Sequence, residues 1–431
     1  MLECATPMNS TLPSRVLSLP FALGLLAASA CGGATASPGA TPGDGGADGA
    51  ALGDAQGTTS DAATEGGEEQ GEDAGSSIQA IPLYSCSLDG IAYTVGATIG
   101  SQQFQLTVDT GSTTLGVASS TCTNCNVTPG YTPGSTAVDQ KKTATSQYGT
   151  GSWTGEIYKD SVALPPSAAT PLEFAAIDTQ SGFFEPIQCD SKSGTIQGIV
   201  GFAPPAAAVA GTQGLLDQLV VTQKLPDIFA TKLCDTGGSL WLGGYDPTAT
   251  TAAPQYTPFV ADFFSLGYYA VNLVSIEVNG TTVPVATAQY ADALVDTGTS
   301  IFALGTTAYN ALVAAIGSDA AFTKEFGGAS FFAGQTPCAS STATKATLDS
   351  TMPGLTLTFG SNPAITVQAT ATESYLFEAE GEGWCSAIQG FDQSNNAPVS
   401  GIMGAPVLRS NVLIFDRAQK RLGFAPHTAC P

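Results

Sequence analysis

Val108-Asp109-Thr110-Gly111-Ser112 is repeated later in the chain as Val295-Asp296-Thr297-Gly298-Thr299, and an apolar run precedes each copy. A single Asp-Thr-Gly is ordinary in a turn, because Asp and Gly are common turn residues. Two copies in matching surroundings instead predict that the carboxylates of Asp109 and Asp296 meet in one shared site.

A pair of adjacent carboxylates has a defined chemistry. Two like charges about 3 Å apart cannot both ionise easily, so one carboxyl group keeps its proton while the other acts as a base. Such a pair can activate a water molecule and protonate a leaving amide nitrogen. The glycines permit a tight backbone turn, and the Thr and Ser hydroxyls can hydrogen-bond across the pair and hold the carboxylates in plane.

The composition removes the main competing chemistries. The only histidine is His427, near the end of the chain, so Ser-His-Asp, Cys-His and histidine-rich zinc sites lack their central residue. We therefore expect no metal and no cofactor. The formal net charge of −23 over 431 residues argues against nucleic acid as a partner.

Residues 1–31 have the pattern of a signal peptide. An apolar stretch at 16–30, VLSLPFALGLLAASA, follows Arg15, is too short to cross a bilayer comfortably, and ends in small residues before Cys31. The end of this stretch resembles a bacterial lipobox, in which the cysteine is lipidated and becomes the mature N-terminus. We expect export as a cell-envelope lipoprotein, at the outer membrane or cell surface and attached through Cys31. Secretion after plain cleavage behind Ala30 is the alternative.

Residues 32–80 form an acidic linker rich in Gly and Ala. They contain nine acidic residues, no basic residue and no aromatic residue, so they cannot bury a core and are predicted to be disordered. A segment that blocked a carboxylate pair should carry Lys or Arg to pair with it. We therefore expect no inhibitory pro-segment here.

The cysteines predict disulfides. Eight of the ten follow residue 31, an even number in a chain expected to be exported. Cys122 and Cys125 are spaced like a redox motif or half of a zinc site, but no second pair and no histidine cluster accompany them, which favours a small disulfide loop. The spacing leaves the other pairings open.

After residue 80 the chain is predicted to be all-β. Short runs of Val, Ile, Thr, Leu, Phe and Tyr alternate with Gly, Pro, Asn and Ser turns, and the best helical signals are at 214–223 and 306–316. Each Asp-Thr-Gly loop is followed by an apolar-apolar-Gly run, Ile199-Val200-Gly201 and Ile402-Met403-Gly404. This coarse repeat predicts two β lobes that each supply one aspartate to a common cleft.

Residues 81–431 resemble the pepsin family of aspartic proteases. VDTGST and LVDTGTS are similar to its two catalytic loops, and Tyr148-Gly149-Thr150-Gly151-Ser152 is similar to its flap, the hairpin that closes over substrate. IQGIVGF, GIMGAPVL, WLGGYDP and NVLIFDRAQKRLGFAP follow in the family's order. The resemblance implies a bilobal fold of two β-barrel-like lobes around a central cleft, with lobes at 81–255 and 256–431.

The resemblance also implies a function. A monomeric aspartic endopeptidase would hydrolyse protein or peptide substrates with a water activated between Asp109 and Asp296, at acid pH, and would be inhibited by pepstatin. A non-catalytic peptide- or protein-binding protein on the same fold is the alternative.

Residues around the pair are assigned by the same resemblance. Supporting residues of the two loops would be Thr110 and Thr297 behind the carboxylates, Ser112 and Thr299 on their outer oxygens, and Gly111 and Gly298 near the attacking water. The flap residues Tyr148, Gly149 and Thr150 would cover the substrate. Phe183 and Phe184 would line the pocket beside the scissile bond, or alternatively pack in the core.

The chain departs from the family at one position. Where the family usually has a Trp four residues after the serine of the first loop, as a partner for the flap tyrosine, this chain has Gly116. Trp153, just beyond the flap tip, is a candidate replacement, and Gly116→Trp is expected to be tolerated or activating. The resemblance further implies the disulfides Cys122–Cys125 and Cys338–Cys385, with Cys234–Cys430 and Cys86–Cys189 as the remaining pairs.

Overall fold

Strands are the main regular structure of the folded chain, at 44% against 18% helix, which confirms the all-β prediction. The computed structural model describes residues 78–86, 92–149, 151–184, 195–334, 337–379, 381–393 and 399–430. The predicted signal peptide and nearly all of the predicted linker lie outside these residues. The first strand begins at Gln79, so the folded part starts two residues before the predicted linker boundary.

The strands are short and separated by turns. In the first half of the chain they are β1 (Gln79–Cys86), β2 (Ala92–Ile99), β3 (Gln102–Asp109), β4 (Gly116–Ala118), β5 (Val138–Gln147), β6 (Ser152–Ala163), β7 (Thr170–Ser181), β8 (Gly198–Gly201), β9 (Ile228–Cys234), β10 (Gly237–Leu242) and β11 (Gln255–Pro258). The later strands are β12 (Ala270–Val271), β13 (Leu273–Val278), β14 (Thr281–Thr282), β15 (Ala293–Asp296), β16 (Phe302–Gly305), β17 (Cys338–Ala339), β18 (Leu355–Phe359), β19 (Ile365–Ala369), β20 (Leu376–Ala379), β21 (Gly383–Ser386), β22 (Ile388–Phe391), β23 (Gly401–Gly404), β24 (Asn411–Asp416) and β25 (Arg421–Pro426).

Helices are few and short. Those of the described residues are α1 (Leu215–Gln223), α2 (Ala261–Ser265), α3 (Thr306–Gly317), α4 (Ala320–Phe326), α5 (Lys345–Thr351) and α6 (Ala405–Leu408). The helical signals at 214–223 and 306–316 are confirmed by α1 and α3. Two of the shorter helices have side-chain caps: Asp319 accepts hydrogen bonds from two backbone N–H groups at the start of α4, and Thr344 accepts one at the start of α5. Within the described ranges, no helix has the length and apolar character needed to cross a membrane.

One sheet combines strands from both ends of the chain. Its order is β11-β25-β24-β9-β10-β1-β2-β3-β8-β4-β7-β6-β5. The C-terminal strand β24 pairs with β9, so this sheet contains strands from both sides of the predicted lobe boundary at residue 255. The smaller sheets have the orders β12-β15-β23-β16-β22, β14-β13-β18-β19 and β17-β21-β20.

The coarse repeat in the sequence is a repeat in strand pairing. β3 pairs in parallel with β8, which places Asp109 opposite Gly201, and β15 pairs in parallel with β23, which places Asp296 opposite Gly404. Glycine is needed at both positions because the Asp-Thr-Gly loop crosses directly over it. A Cβ on Gly201 would overlap the carbonyl of Ser112, and one on Gly404 would overlap the carbonyl of Thr299.

Three disulfides join the pairs that the resemblance implies. They are Cys122–Cys125, Cys234–Cys430 and Cys338–Cys385. Glu382 lies beside the last pair, but these sulfurs are bonded to each other and do not offer thiolates to a metal. Cys86 is also disulfide-bonded. Cys189, its predicted partner, lies outside the described residues, so that pairing stays a prediction.

Candidate active site

Each Asp-Thr-Gly loop begins where a buried strand ends. Asp109 is the last residue of β3 and Asp296 the last residue of β15. The alternation of Leu106 and Val108 with polar residues directs apolar side chains into the core, and the chain then turns out of the sheet at the aspartate. Because each half of the chain does this once, the two aspartates arrive together at the carboxyl ends of matching strands.

Two threonines hold the loops to each other. The hydroxyl of Thr110 accepts from the backbone N–H of Thr297 (3.0 Å) and donates to the carbonyl of Val295 (2.9 Å). In return, the hydroxyl of Thr297 accepts from the N–H of Thr110 (3.1 Å) and donates to the carbonyl of Val108 (2.9 Å). Both threonines are buried, so these four bonds are protected from water.

The carboxylates are oriented in the same way in both loops. The N–H of Gly111 donates to Oδ1 of Asp109 (2.8 Å), and the N–H of Gly298 donates to Oδ1 of Asp296 (2.8 Å). On the other side, the hydroxyl of Ser112 donates to Oδ2 of Asp109. Likewise, the Thr299 hydroxyl donates to Oδ2 of Asp296 (2.6 Å). Each carboxylate is thus fixed by one backbone donor and one hydroxyl.

The glycines leave room for the carboxylates to face each other. A Cβ on Gly111 would lie 2.8 Å from Oδ2 of Asp296, closer than van der Waals contact allows. A Cβ on Gly298 would overlap Oδ1 of Asp109. Each carboxylate therefore occupies the space that a side chain on the opposite loop would fill.

Burial makes this pair difficult to ionise fully. Asp109 is 4% exposed, whereas Asp296 is half-buried. Burial raises the pKa of Asp109 well above its ordinary value, and the charge of Asp296 and a hydrogen bond to it raise this pKa further. Hydrogen bonds from Ser112 and Gly111 act in the opposite direction. The arrangement favours a pair that holds one proton, since the two carboxylates are coupled.

The flap is the hairpin of β5 and β6. Gln147 is paired with Ser152, and the N–H of Tyr148 donates to the carbonyl of Gly151 (2.6 Å) to close the turn. Gly149 is exposed at the tip, and Thr150 lies outside the described residues. The ring of Tyr148 is half-buried and contacts Phe183, with 5.0 Å between ring centroids.

Trp153 occupies the place that a side chain at residue 116 would need. Gly116 is buried in β4, and a Cβ there would lie 3.6 Å from two carbons of the Trp153 indole and 3.2 Å from Ile177. A second indole at residue 116 would have to displace one of these neighbours, and the expectation that Gly116→Trp is tolerated stays a prediction. The indole N–H of Trp153 donates to the hydroxyl of Tyr148 at 3.4 Å.

Phe183 and Phe184 have different positions. Phe183 is half-buried against Tyr148, while Phe184 is 6% exposed and packs in a small cluster beneath the flap with Trp153 and Ile177. Phe183 therefore lies beside the tyrosine of the hairpin, and its role in lining the substrate pocket stays a prediction. Phe184 takes the alternative role of a core residue.

The sequence motifs did not predict a second backbone contact that each Asp-Thr-Gly loop makes. The N–H of Ala203 donates to the carbonyl of Ser112 (2.9 Å), and the N–H of Ala405 donates to the carbonyl of Thr299 (2.8 Å). Both alanines precede a proline, so a shared Ala-Pro after each apolar-apolar-Gly run was the available signal. Tyr269 was also missed: its carbonyl accepts from the N–H of Val295, just before the second loop (2.9 Å). No motif marks that segment.

Residues 92–427 match the family described as eukaryotic aspartyl protease. An aspartic protease of Phaffia rhodozyma is 30% identical over 336 residues, which cover 76% of this chain and 74% of that protein. Pepsin A of Sus scrofa is 28% identical over 344 residues, covering 77% and 80%. Pepsin A of Callithrix jacchus is 28% identical over 341 residues, with the same coverage.

The fold, the paired loops and these similarities define a peptide hydrolase of the pepsin-like type. The chain belongs to the eukaryotic aspartyl protease family. It is an aspartic-type endopeptidase.

Proposed function

We propose that Asp109 and Asp296 are the catalytic residues and that they hydrolyse peptide bonds with a water molecule activated between them. The observation that carries this proposal is the reciprocal bonding of Thr110 and Thr297, which brings the two carboxylates face to face. Both carboxylates also have matching donors on their inner and outer oxygens. A site built this symmetrically around two acids has no evident use in structure alone.

The chemical steps follow from one shared proton. The ionised carboxylate removes a proton from the water as the oxygen attacks the scissile carbonyl, while the protonated carboxyl donates to the carbonyl oxygen. A tetrahedral intermediate forms, a proton passes from the pair to the amide nitrogen, and the C–N bond breaks. The fixed donors on each carboxylate keep both oxygens in position throughout, which avoids reorganisation in the transition state.

The same shared proton supports an acid pH optimum. Burial and mutual charge raise the pKa of Asp109, so the singly protonated pair persists above the ordinary range of an aspartate. Activity falls when the remaining proton is lost at higher pH, and also when both carboxyls are protonated at very low pH. Pepstatin should inhibit, because a transition-state analogue with a tetrahedral hydroxyl uses the same pair.

The substrate is an extended protein or peptide segment held under the flap. Tyr148 covers the site from above, and Phe183 contributes an apolar surface beside it. Thr150 is included in this role from the sequence. We further propose that the protein acts as a monomer, with no nucleic acid partner.

Export in the form of a bacterial lipoprotein is a separate part of the proposal. The apolar stretch at 16–30 and the three disulfides of the folded part support passage to an oxidising compartment. Lipidation of Cys31, with the acidic linker as a tether, would attach the enzyme to a membrane surface. Mass spectrometry of the mature N-terminal peptide tests this: a peptide starting at Cys31 with an added diacylglycerol supports it, and an unmodified N-terminus refutes it.

The catalytic proposal is tested with purified full-length protein. Cleavage of a denatured protein substrate is measured between about pH 2 and 7, with and without pepstatin, for the wild type and Asp296→Asn. Asp292→Asn is the matched control, because it removes a carboxylate from the same segment at a residue with a φ of 57°, which Asn tolerates. Pepstatin-sensitive cleavage that only Asp296→Asn abolishes supports the proposal. Cleavage that survives in Asp296→Asn contradicts it.

A further inference from the structure

Trp153 is a buried tryptophan whose polar atom points at the flap. It lies on β6, is 1% exposed, and packs against Ile177, Phe184 and the space above Gly116. A buried indole N–H usually has a hydrogen-bond partner, and the identity of that partner indicates what the tryptophan holds. Here the N–H donates to the Tyr148 hydroxyl.

The Tyr148 hydroxyl, which accepts this bond, is also influenced by the charge of Asp109. Burial, and then the charge of Asp109, raises the pKa of Tyr148, while hydrogen bonds with Ser146, Trp153 and Ser112 lower it. Ser112 in turn donates to the outer oxygen of Asp109. The indole therefore bonds a tyrosine hydroxyl whose pKa also responds to Asp109 and Ser112 of the first Asp-Thr-Gly loop.

Gly116 has a steric reason to lack a side chain. The ring carbons of Trp153 lie 3.6 Å from where its Cβ would be, and Ile177 lies 3.2 Å away on the other side. A large side chain at residue 116 and an indole at residue 153 exclude each other.

We propose that Trp153 is a positioning residue for the reaction: its N–H holds the hydroxyl of Tyr148 in place, and Gly116 provides the space for its indole. This inference rests on the proposed function, since it assigns Tyr148 to the substrate-covering flap. It explains how a flap tyrosine is held in a chain with glycine at residue 116.

The contact itself is tested without measuring activity. The protein contains three tryptophans, so indole N–H signals of isotope-labelled full-length protein can be assigned by NMR with Trp153→Phe, Trp241→Phe and Trp384→Phe. Tyr148→Phe removes only a hydroxyl. It should shift the Trp153 signal and leave the other two unchanged. An unchanged Trp153 signal overturns the proposal.

The effect on the reaction is tested with a double-mutant cycle. Trp153→Phe keeps an apolar ring but loses the donor, and kcat/KM should fall about tenfold, as for one lost hydrogen bond. The double variant with Tyr148→Phe should be no worse than Tyr148→Phe alone. Trp384→Phe is the matched control, because that buried indole donates to the carbonyl of Ala343 in another part of the fold.

The outcomes distinguish a failure of the positioning role of Trp153 from a failure of the proposed function. If Trp153→Phe retains full kcat/KM, or if the two substitutions act independently, Trp153 does not position the flap. If the wild-type enzyme itself cleaves nothing, the proposed function fails, and the NMR signal alone then decides the Trp153–Tyr148 contact.

The steric part has its own pair of variants. Gly116→Trp should lower kcat/KM by at least about tenfold, because the new side chain displaces Trp153. Adding Trp153→Met to it should recover the free energy of unfolding lost in Gly116→Trp, since the flexible methionine leaves room for the new indole. Full activity in Gly116→Trp alone, or a double variant no more stable than Gly116→Trp, contradicts the proposed exclusion.

Discussion

Thr110 and Thr297 each accept a hydrogen bond from the other's backbone N–H, at 3.0 and 3.1 Å. Their hydroxyls then donate onward to the carbonyls of Val295 and Val108. The two halves of the chain are therefore held together at the point where their carboxylates meet. The alignment of the two carboxylates therefore depends on the buried hydroxyl groups of Thr110 and Thr297.

Thr297→Val should be costly although the side chain keeps its shape. It leaves the N–H of Thr110 and the carbonyl of Val108 without partners in a buried site, and each such group costs about 1–3 kcal/mol. We expect a loss of about 2 kcal/mol or more in the free energy of unfolding, measured by urea denaturation. Thr297→Ser, which keeps the hydroxyl, is the control; equal stability of the Val and Ser variants would count against this account.

The site was largely predictable from the sequence because its chemistry is concentrated in short motifs. Asp109 and Asp296 carry neighbours of fixed type, and local turns bring Gly111 and Ser112 to the carboxylate without help from the rest of the chain. The parallel pairing of each aspartate strand with an apolar-apolar-Gly strand was implied by the repeat, although the sequence does not state strand order.

Contacts between distant segments were not predictable. The space above Gly116 depends on a tryptophan that lies on a different strand, and sequence spacing does not show which side chain fills it. The short helices α2 and α6 have too few residues for a periodic pattern, so tertiary packing decides their conformation. For the same reason the bond between Tyr269 and Val295, beside the second loop, carries no local signal in the sequence.

Gly298→Ala should abolish most activity while the protein stays folded. The added Cβ overlaps Oδ1 of Asp109, so the carboxylates must separate, and a displacement of about 1 Å at reacting groups costs about 10²-fold in rate. Gly134→Ala is the control, since no atom lies within 4 Å of its Cβ position. Initial-rate assays of both variants decide, and an alanine at residue 298 with wild-type kcat/KM would contradict the face-to-face geometry.

Asp109→Asn should change how stability depends on pH. Because the pKa of Asp109 is raised in the folded state, the folded protein binds the proton more tightly than the unfolded chain does. This contribution to stability is present below the ordinary aspartate pKa of about 3.9 and is lost as the pH rises through the folded-state pKa. The asparagine variant should therefore gain stability relative to wild type at neutral pH and not at pH of about 3.

Denaturation of wild type, Asp109→Asn and the control Asp292→Asn at both pH values measures this difference. The control removes a carboxylate from the residue just before β15, at a position whose φ Asn tolerates. A constant difference between wild type and Asp109→Asn across the pH range would mean that burial does not oppose ionisation at Asp109.

Arg417 lies far from the carboxylate pair in the sequence, and Arg417→Leu should destabilise the fold strongly. Its guanidinium is 6% exposed and pairs with Asp217 at α1 and with Asp227 (3.0 Å) just before β9. Burial already raises the pKa of Asp227 while the charge of Arg417 lowers it, so removing the arginine leaves a poorly solvated carboxylate. We expect a loss of about 3–5 kcal/mol in the free energy of unfolding at neutral pH.

The loss should shrink at acid pH, because the carboxylate of Asp227, whose pKa burial raises, then takes up a proton and no longer carries a poorly solvated charge. Arg421→Leu is the comparison: its partner Asp416 is buried but its own side chain is 34% exposed, so water replaces part of the interaction. Urea denaturation of both variants at neutral and acid pH gives the four free energies of unfolding that this comparison needs. If Arg417→Leu lowers the free energy of unfolding no more than Arg421→Leu does at neutral pH, the buried ion pairs of Arg417 do not hold α1 to the sheet that contains β9 and β24.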